Sequence, residues 1–133
     1  MAWNETKLTM VGRVCSDVTT KLTGEGEAMT RFALISTQRK FDRDNNMWVN
    51  GRELFMRVTC FRRLAETVAE TFVKGDPVVA TGRIHTNKWI DKDGRTQSEI
   101  VMEAVAVGPD LSLCKVAMLR GERSGLPVEA VAA

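Results

Sequence analysis

The 133-residue chain is poor in the side chains that hold metal ions, because it has a single histidine, His85, and only three cysteines. Cys15, Cys60 and Cys114 are widely spaced and form no Cys-x-x-Cys pair, so neither a zinc site nor a disulfide framework is indicated. We therefore expect no metal and no cofactor. The chain also lacks an apolar run of about 18 residues and a basic, then apolar, leader. We expect a cytoplasmic protein without a membrane span.

Signals of catalysis are also scarce. The sequence has no Gly-rich phosphate loop before a helix and no Gly-x-Ser-x-Gly motif. Glu53 and Glu103 are conceivable as an acid and a base, but isolated carboxylates on strands are usually solvated. We expect a binding protein with no catalytic residues.

The positive charge of the chain is unevenly distributed. Its formal net charge is only +2, yet residues 31–63 carry eight Lys or Arg against three Asp or Glu, whereas residues 1–30 are net negative by one. This asymmetry is typical of a face that binds a polyanion, although scattered solvated side chains on an ordinary surface produce the same count.

The most informative stretch is residues 52–76. From Glu53 to Phe61 the side chains alternate, which predicts a strand with two different faces. The predicted core face carries Leu54, Met56, Val58 and Cys60, and the other face carries Phe55, Arg57, Thr59 and Phe61. A core does not require aromatic rings beside a cation on the second face, whereas a stacking platform for nucleic-acid bases does.

A helix is predicted directly after this strand. Leu64, Val68 and Phe72 recur at helical spacing, and Lys74, Gly75 and Pro77 are typical of a helix end. Alternation or β-rich composition predicts four further strands. These are Thr6–Cys15, Ala28–Thr37, Val78–Trp89 and Gln97–Val107.

The order of three strands, a helix and two strands predicts an all-β barrel with one helix. It is the order of the oligonucleotide-binding fold, the OB-fold, a five-stranded Greek-key barrel with its helix between strands 3 and 4. We expect residues 1–110 to form this domain. Residues 111–133 would be a C-terminal extension, in which 111–119 could add a short strand and the remainder would be a flexible tail.

Two further aromatic features lie outside the central strand. Trp89 shares a predicted strand face with Arg83 and His85, just before an Asp-Gly hairpin turn. Phe41 and Trp48 lie in a long polar connection, Gln38–Gly51. Rings in such a connection either meet a partner or fold back onto the domain, and the sequence leaves both alternatives open.

Several stretches together resemble the bacterial single-stranded DNA-binding protein (SSB) family over Asn4–Pro109. They are LTMVGRV (8–14), RLAE (63–66), KGDPV (74–78), Gly82 with Arg83, and above all KWIDKDG (88–94), which combines a lysine and a tryptophan with a polar hairpin turn. The resemblance implies sequence-independent binding and protection of single-stranded DNA in replication, recombination or repair. The alternative is an OB-fold module that binds RNA or a protein partner in a larger complex.

Carried over position by position, the resemblance implies specific site residues. The expected stacking rings are Phe41, Phe55, Phe61 and Trp89, with Trp48 as an additional candidate. The expected backbone contacts are Arg39, Lys40, Arg57, Arg62, Arg83 and Lys88. The resemblance also implies a homotetramer associated with the nucleoid.

The C-terminal residues differ from those of many family members, which have an acidic segment that recruits replication and repair proteins. Residues 125–133 of this chain contain Glu129 as their one acidic side chain. An isolated exposed charge contributes little to binding. The chain therefore resembles a short paralog, and we expect tail-dependent partners to bind weakly or not at all.

Overall fold

The computed structural model describes residues 3–120, which form six strands and one helix. The elements in chain order are β1 (Thr6–Val14), β2 (Thr19–Leu22), β3 (Ala28–Asp42), β4 (Met47–Phe61), α1 (Arg62–Thr71), β5 (Pro77–Ile90) and β6 (Thr96–Pro109). None of the helical segments in this range is long and apolar enough to cross a membrane.

The strands form one sheet in the order β1-β5-β6-β4-β3-β2, which closes because β1 also pairs with β3. The closing pairs are Arg13 with Ile35 and Val14 with Leu34, and β2 pairs with the earlier part of β3. This is the predicted OB-fold. The added strand β2 changes the numbering, so α1 lies between β4 and β5, which are the two strands predicted to flank it.

The barrel interior confirms most of the predicted alternation. Met10 and Val14 of β1, Met56 and Val58 of β4, and Val78 and Ala80 of β5 are among the buried core residues. The buried Thr30 hydroxyl donates a hydrogen bond of 2.7 Å to the carbonyl oxygen of Ala65, which connects β3 to the helix. Leu54 was predicted to be in the core, but this was wrong. Its side chain is 51% exposed because β4 is outside the barrel there.

The helix is shorter than its apolar pattern suggested. It ends at Thr71, and the buried Phe72 adds a last backbone hydrogen bond to Val68. Gly75 was predicted to end the helix, but it lies three residues beyond the C-cap Phe72, and its φ of +100° belongs to a turn in which the N–H of Asp76 donates to the carbonyl oxygen of Val73 at 3.2 Å. The N–H of Gly75 donates to the carbonyl oxygen of Val14 at 2.7 Å, so the turn joins the helix end to β1.

Two connections differ from the sequence predictions. Most of Gln38–Gly51 is a paired extension of β3 and β4 rather than a polar loop, because ladder hydrogen bonds use the backbone and tolerate polar side chains. Residues 111–119 contain a turn and no strand. Asp110 explains that turn, since its side chain accepts hydrogen bonds from the N–H and hydroxyl of Ser112. The predicted flexible tail, residues 121–133, lies outside the described residues.

Candidate nucleic-acid interface

Four neighbouring strands share one outward surface. Arg57 of β4 is paired with Val101 of β6, which is paired with His85 of β5, while Thr59 of β4 is paired with Arg31 of β3. Because paired residues face the same way and alternate residues share a side, the register defines a continuous surface that we call the outer face. Its central members are Arg31, Phe55, Arg57, Thr59, Phe61, Arg83, His85, Asn87, Trp89, Glu99, Val101 and Glu103.

A depression of about 290 Å³ lies in the middle of the outer face. Arg31, Arg57, Phe61, His85 and Glu99 are among its lining residues. The half-buried ring of Phe61 is therefore beside cations at the centre of this surface.

Two hairpin arms extend the outer face beyond the barrel. β4 and β6 are paired only over Arg57–Thr59 and Val101–Glu103, so each strand continues outward with its own hairpin partner. Phe55 is on the β3–β4 arm and is 60% exposed, and Trp89 is on the β5–β6 arm and is 42% exposed. Both rings lie beyond the residues at which β4 and β6 pair, and both are exposed to solvent.

A β-bulge determines which side chains of the β3–β4 arm join the outer face. Thr37 is paired with Glu53 but Arg39 is paired with Asn50, so Gly51 and Arg52 together oppose one residue of β3. The extra residue reverses the alternation of β4. As a result Trp48 and Asn50 lie on the same side of the sheet as Phe55 although their positions are even-numbered, and Asn50 accepts a hydrogen bond from the Arg39 side chain.

Phe41 and Trp48 are cross-strand neighbours near the tip of this arm. Their ring centroids are 5.5 Å apart with planes at 64°, an edge-to-face arrangement. Phe41 is 45% exposed and Trp48 is 61% exposed. The two rings therefore pack on each other and not onto the barrel, and both remain accessible.

Three of the six predicted cations have carboxylate partners. Arg57 Nε lies 3.1 Å from a Glu99 oxygen. Arg83 lies 3.0 Å from Glu103 and 3.7 Å from Glu5. Arg62 Nε lies 3.3 Å from Glu27.

The structure brings together eight of the eleven predicted site residues on one surface and leaves three elsewhere. By register the eight are Arg39, Phe41, Trp48, Phe55, Arg57, Phe61, Arg83 and Trp89. Lys40 and Lys88 alternate to the other side of their hairpins, where both are exposed. Arg62 is exposed at the start of α1 with a φ of +59°.

An aspartate organises the turn of each arm. Asp91 accepts hydrogen bonds from the backbone N–H groups of Asp93 and Arg95 and from the Gln97 side chain, all between 2.8 and 2.9 Å. Hydrogen bonding, led by that from Gln97, lowers the pKa of Asp91. Asp42 accepts from Asp44 and Asn45 in the other turn, and its pKa is lowered mainly by the Asn45 side chain.

Sequence reasoning did not single out Arg31, which belongs to the outer face, or Trp3, which lies beside it. Arg31 is exposed and paired with Thr59, and extending the alternation of β3 back from Phe41 would have found it. Trp3 is 92% exposed and lines a second depression with Arg83 and His85. It precedes β1, so no alternation pattern includes it.

Comparison with known proteins gives a consistent result. The model of the single-strand binding protein family matches residues 5–108. The single-stranded DNA-binding protein of Corynebacterium glutamicum is 37% identical over 125 residues, which is 94% of this chain and 56% of that protein. The corresponding protein of Paenarthrobacter aurescens is 35% identical over 90% of this chain and 70% of its own length. The chain thus spans little more than half the length of the Corynebacterium glutamicum protein.

Solved structures agree with these sequence matches. The crystal structure of the small single-stranded DNA-binding protein of Streptomyces coelicolor has a TM-score of 0.73 at 31% identity, covering 84% of this chain and 99% of that one. The second single-stranded DNA-binding protein of Mycobacterium smegmatis has a TM-score of 0.70 at 28% identity, covering 87% of this chain and 99% of its own.

Proposed function

The chain belongs to the single-strand binding protein family, and from this membership we propose that it binds and protects single-stranded DNA without sequence preference. The observation that carries the proposal is the outer face, which combines exposed rings with cations on two arms. A base stacked on an aromatic ring contributes about 1–3 kcal/mol whichever base it is. Duplex DNA hides the faces of its bases, so such a surface selects single strands.

The proposed residues have two roles. Phe41, Trp48, Phe55, Phe61 and Trp89 stack on bases. Arg39, Lys40, Arg57, Arg62, Arg83 and Lys88 contact the DNA backbone. The exposure of Phe55 and Trp89 on separate arms supports the first role. The net positive charge of residues 31–63 supports the second.

We also propose a cellular role by analogy with the family. We propose that residues 1–110 are the DNA-binding domain of a homotetramer that acts on the nucleoid in the cytoplasm, in replication, recombination or repair. Residues 111–133 would be an extension that is not needed for DNA binding. Residues 125–133 carry a single acidic side chain, so recruitment of acidic-tail-dependent partners through them would be weak or absent.

Tryptophan fluorescence tests the function directly. Oligo(dT) should quench Trp48 and Trp89 at concentrations where duplex DNA of the same length has little effect. Phe55→Ala and Trp89→Ala should each weaken oligo(dT) binding by about 1–3 kcal/mol, and Phe55→Trp should retain it. Because both rings are substantially exposed, the melting temperature should change little.

Two controls complete this experiment. Val73 is 65% exposed after the helix and outside the outer face, so Val73→Ala should not affect DNA binding. Variants that bind as well as the wild type but melt at a lower temperature would assign the rings to the core. Preference for RNA, or for a protein over oligo(dT), would favour a module of a larger complex.

A further inference from the structure

Carboxylates on the outer face are paired with the very arginines that are placed to meet DNA phosphates. Glu99 is on β6 two residues from Val101, so it belongs to the same side of the sheet as Arg57. The Arg57–Glu99 contact of 3.1 Å is also a hydrogen bond from Nε. The two side chains are 48% and 34% exposed, so the pair is at the surface where DNA would lie.

The Arg83 guanidinium is paired in the same way, with two acids instead of one. Its Nη2 donates to Glu103 at 3.0 Å, and its Nη1 lies 3.7 Å from Glu5. A DNA phosphate that approached Arg57 or Arg83 would have to displace a carboxylate or accept its repulsion, because a carboxylate and a phosphate oxygen use the same guanidinium donors. Arg57 and Arg83 therefore present less positive charge to DNA than unpaired arginines would.

We propose that Glu99 and Glu103 are built-in competitors for DNA phosphates, which weaken the backbone contacts of Arg57 and Arg83 relative to those of the unpaired cations on the arms. This proposal rests on the proposed single-stranded DNA binding. Glu99 and Glu103 would then help to set the strength and the salt dependence of that binding. Within residues 3–120, no carboxylate lies within salt-bridge distance of Arg39, Lys40 or Lys88, so these cations of the arms remain available.

The salt dependence of DNA binding measures this competition. Each phosphate neutralised on a single strand contributes a slope of about −0.7 in log K against log salt concentration. Glu99→Gln releases Arg57, so the slope should steepen by about 0.7. The ratio of the affinity at 50 mM salt to the affinity at 200 mM salt should then be about threefold larger than for the wild type. Glu103→Gln should change the slope less, because Glu5 remains beside Arg83. Glu5→Gln with Glu103→Gln should produce the full change.

A matched control separates local pairing from total charge. Glu70 is exposed on α1, away from the outer face, and Glu70→Gln removes the same charge. The proposal expects Glu70→Gln to leave the slope at the wild-type value. In protein that already carries Arg57→Gln, adding Glu99→Gln should not change the slope, because no cation is then released. If Glu99 acted on stability alone, Glu99→Gln would lower the melting temperature and leave the salt slope unchanged.

The proposed function and the competition fail in different ways. If wild-type protein binds oligo(dT) and Phe55→Ala weakens binding, but Glu99→Gln has the slope of the wild type or of Glu70→Gln, the competition is overturned and the function stands. If wild-type protein does not bind oligo(dT) at all, both are overturned. A steeper slope for Glu99→Gln that requires Arg57 supports the competition.

Discussion

Burial separates Cys60 chemically from the other two cysteines. Cys60 is 0% exposed in the barrel core, and desolvation raises the pKa of its thiol to about 11. At pH 8 only about one molecule in a thousand would then hold it as the reactive thiolate. Cys15 and Cys114 are half-buried at the surface.

We therefore expect Cys60 to resist thiol reagents until the barrel unfolds. Native protein at pH 8 treated with an aromatic disulfide reagent should show no label on the peptide that contains Cys60, and denaturant should expose it. Cys60→Ala should leave the number of thiols that react in the native state unchanged. Rapid labelling of Cys60 in native protein would mean that β4 opens locally.

Individual side chains show where sequence reasoning succeeds and where it stops. Alternation predicted the outward positions of Phe55 and Arg57, because the period of a strand is fixed by backbone geometry. It failed for Leu54, because alternation predicts which side of the sheet a side chain is on but not where along the strand the barrel ends. Met56 is 3% exposed and Leu54 is 51% exposed, although they share that side. The carboxylate partner of Arg57 was not foreseen, because Glu99 is 42 residues away.

The β5–β6 arm depends on one side chain in its turn. Asp91 holds three hydrogen bonds, and these lower its pKa because they favour the carboxylate. A carboxyl group whose pKa is lowered by folding stabilises the fold above its unfolded pKa, and this contribution is lost as the pH falls through the folded value. The turn should therefore loosen only at acidic pH, below the usual aspartate value of 3.8.

We expect Asp91→Ala to loosen this arm at neutral pH and to weaken oligo(dT) binding through Trp89, two residues earlier in the chain. Asp93→Ala is the matched control, because it removes a carboxylate from the same turn without removing these hydrogen bonds. Amide chemical shifts of residues 93 and 95 should change in Asp91→Ala, and in the wild type on acidification. Equal DNA affinities of the two variants would contradict a positioning role for Asp91.

The two arms differ in how far the sequence predicted them. The turn of the β5–β6 arm has an Asp-Gly signal, and Gly94 has the expected positive φ of +80°. The β3–β4 arm was read as a loop because its composition is polar, and its bulge has only Gly51 as a sequence signal. That bulge places Trp48 beside Phe41. Strict alternation along β4, without the bulge, would place Trp48 on the side of the sheet opposite to Phe55.

At the scale of the whole molecule, apolar side chains are also exposed on β1 and in the residues after β6. Val11 of β1 is 49% exposed, and it lines a shallow depression with Leu113, which is 58% exposed. Met118 and Leu119 are 69% and 99% exposed in the extension. Exposed apolar side chains of this kind are typical of sites where protein chains meet, and they support the proposed tetramer.

We expect light scattering to give a mass about four times the 14.8 kDa of one chain. Val11→Asp places a charge in this depression, which Arg13 and Arg39 also line. It should shift the protein to smaller species, because removing a charge from water at an interface is costly even beside a cation. Val73→Asp, the same substitution at a valine that is 65% exposed after the helix, should leave the mass unchanged. A wild-type monomer at micromolar concentration, or a tetramer that tolerates Val11→Asp, would contradict this interface. Because all the proposed stacking rings lie on one chain, dissociated Val11→Asp should still bind an oligonucleotide short enough to occupy a single outer face.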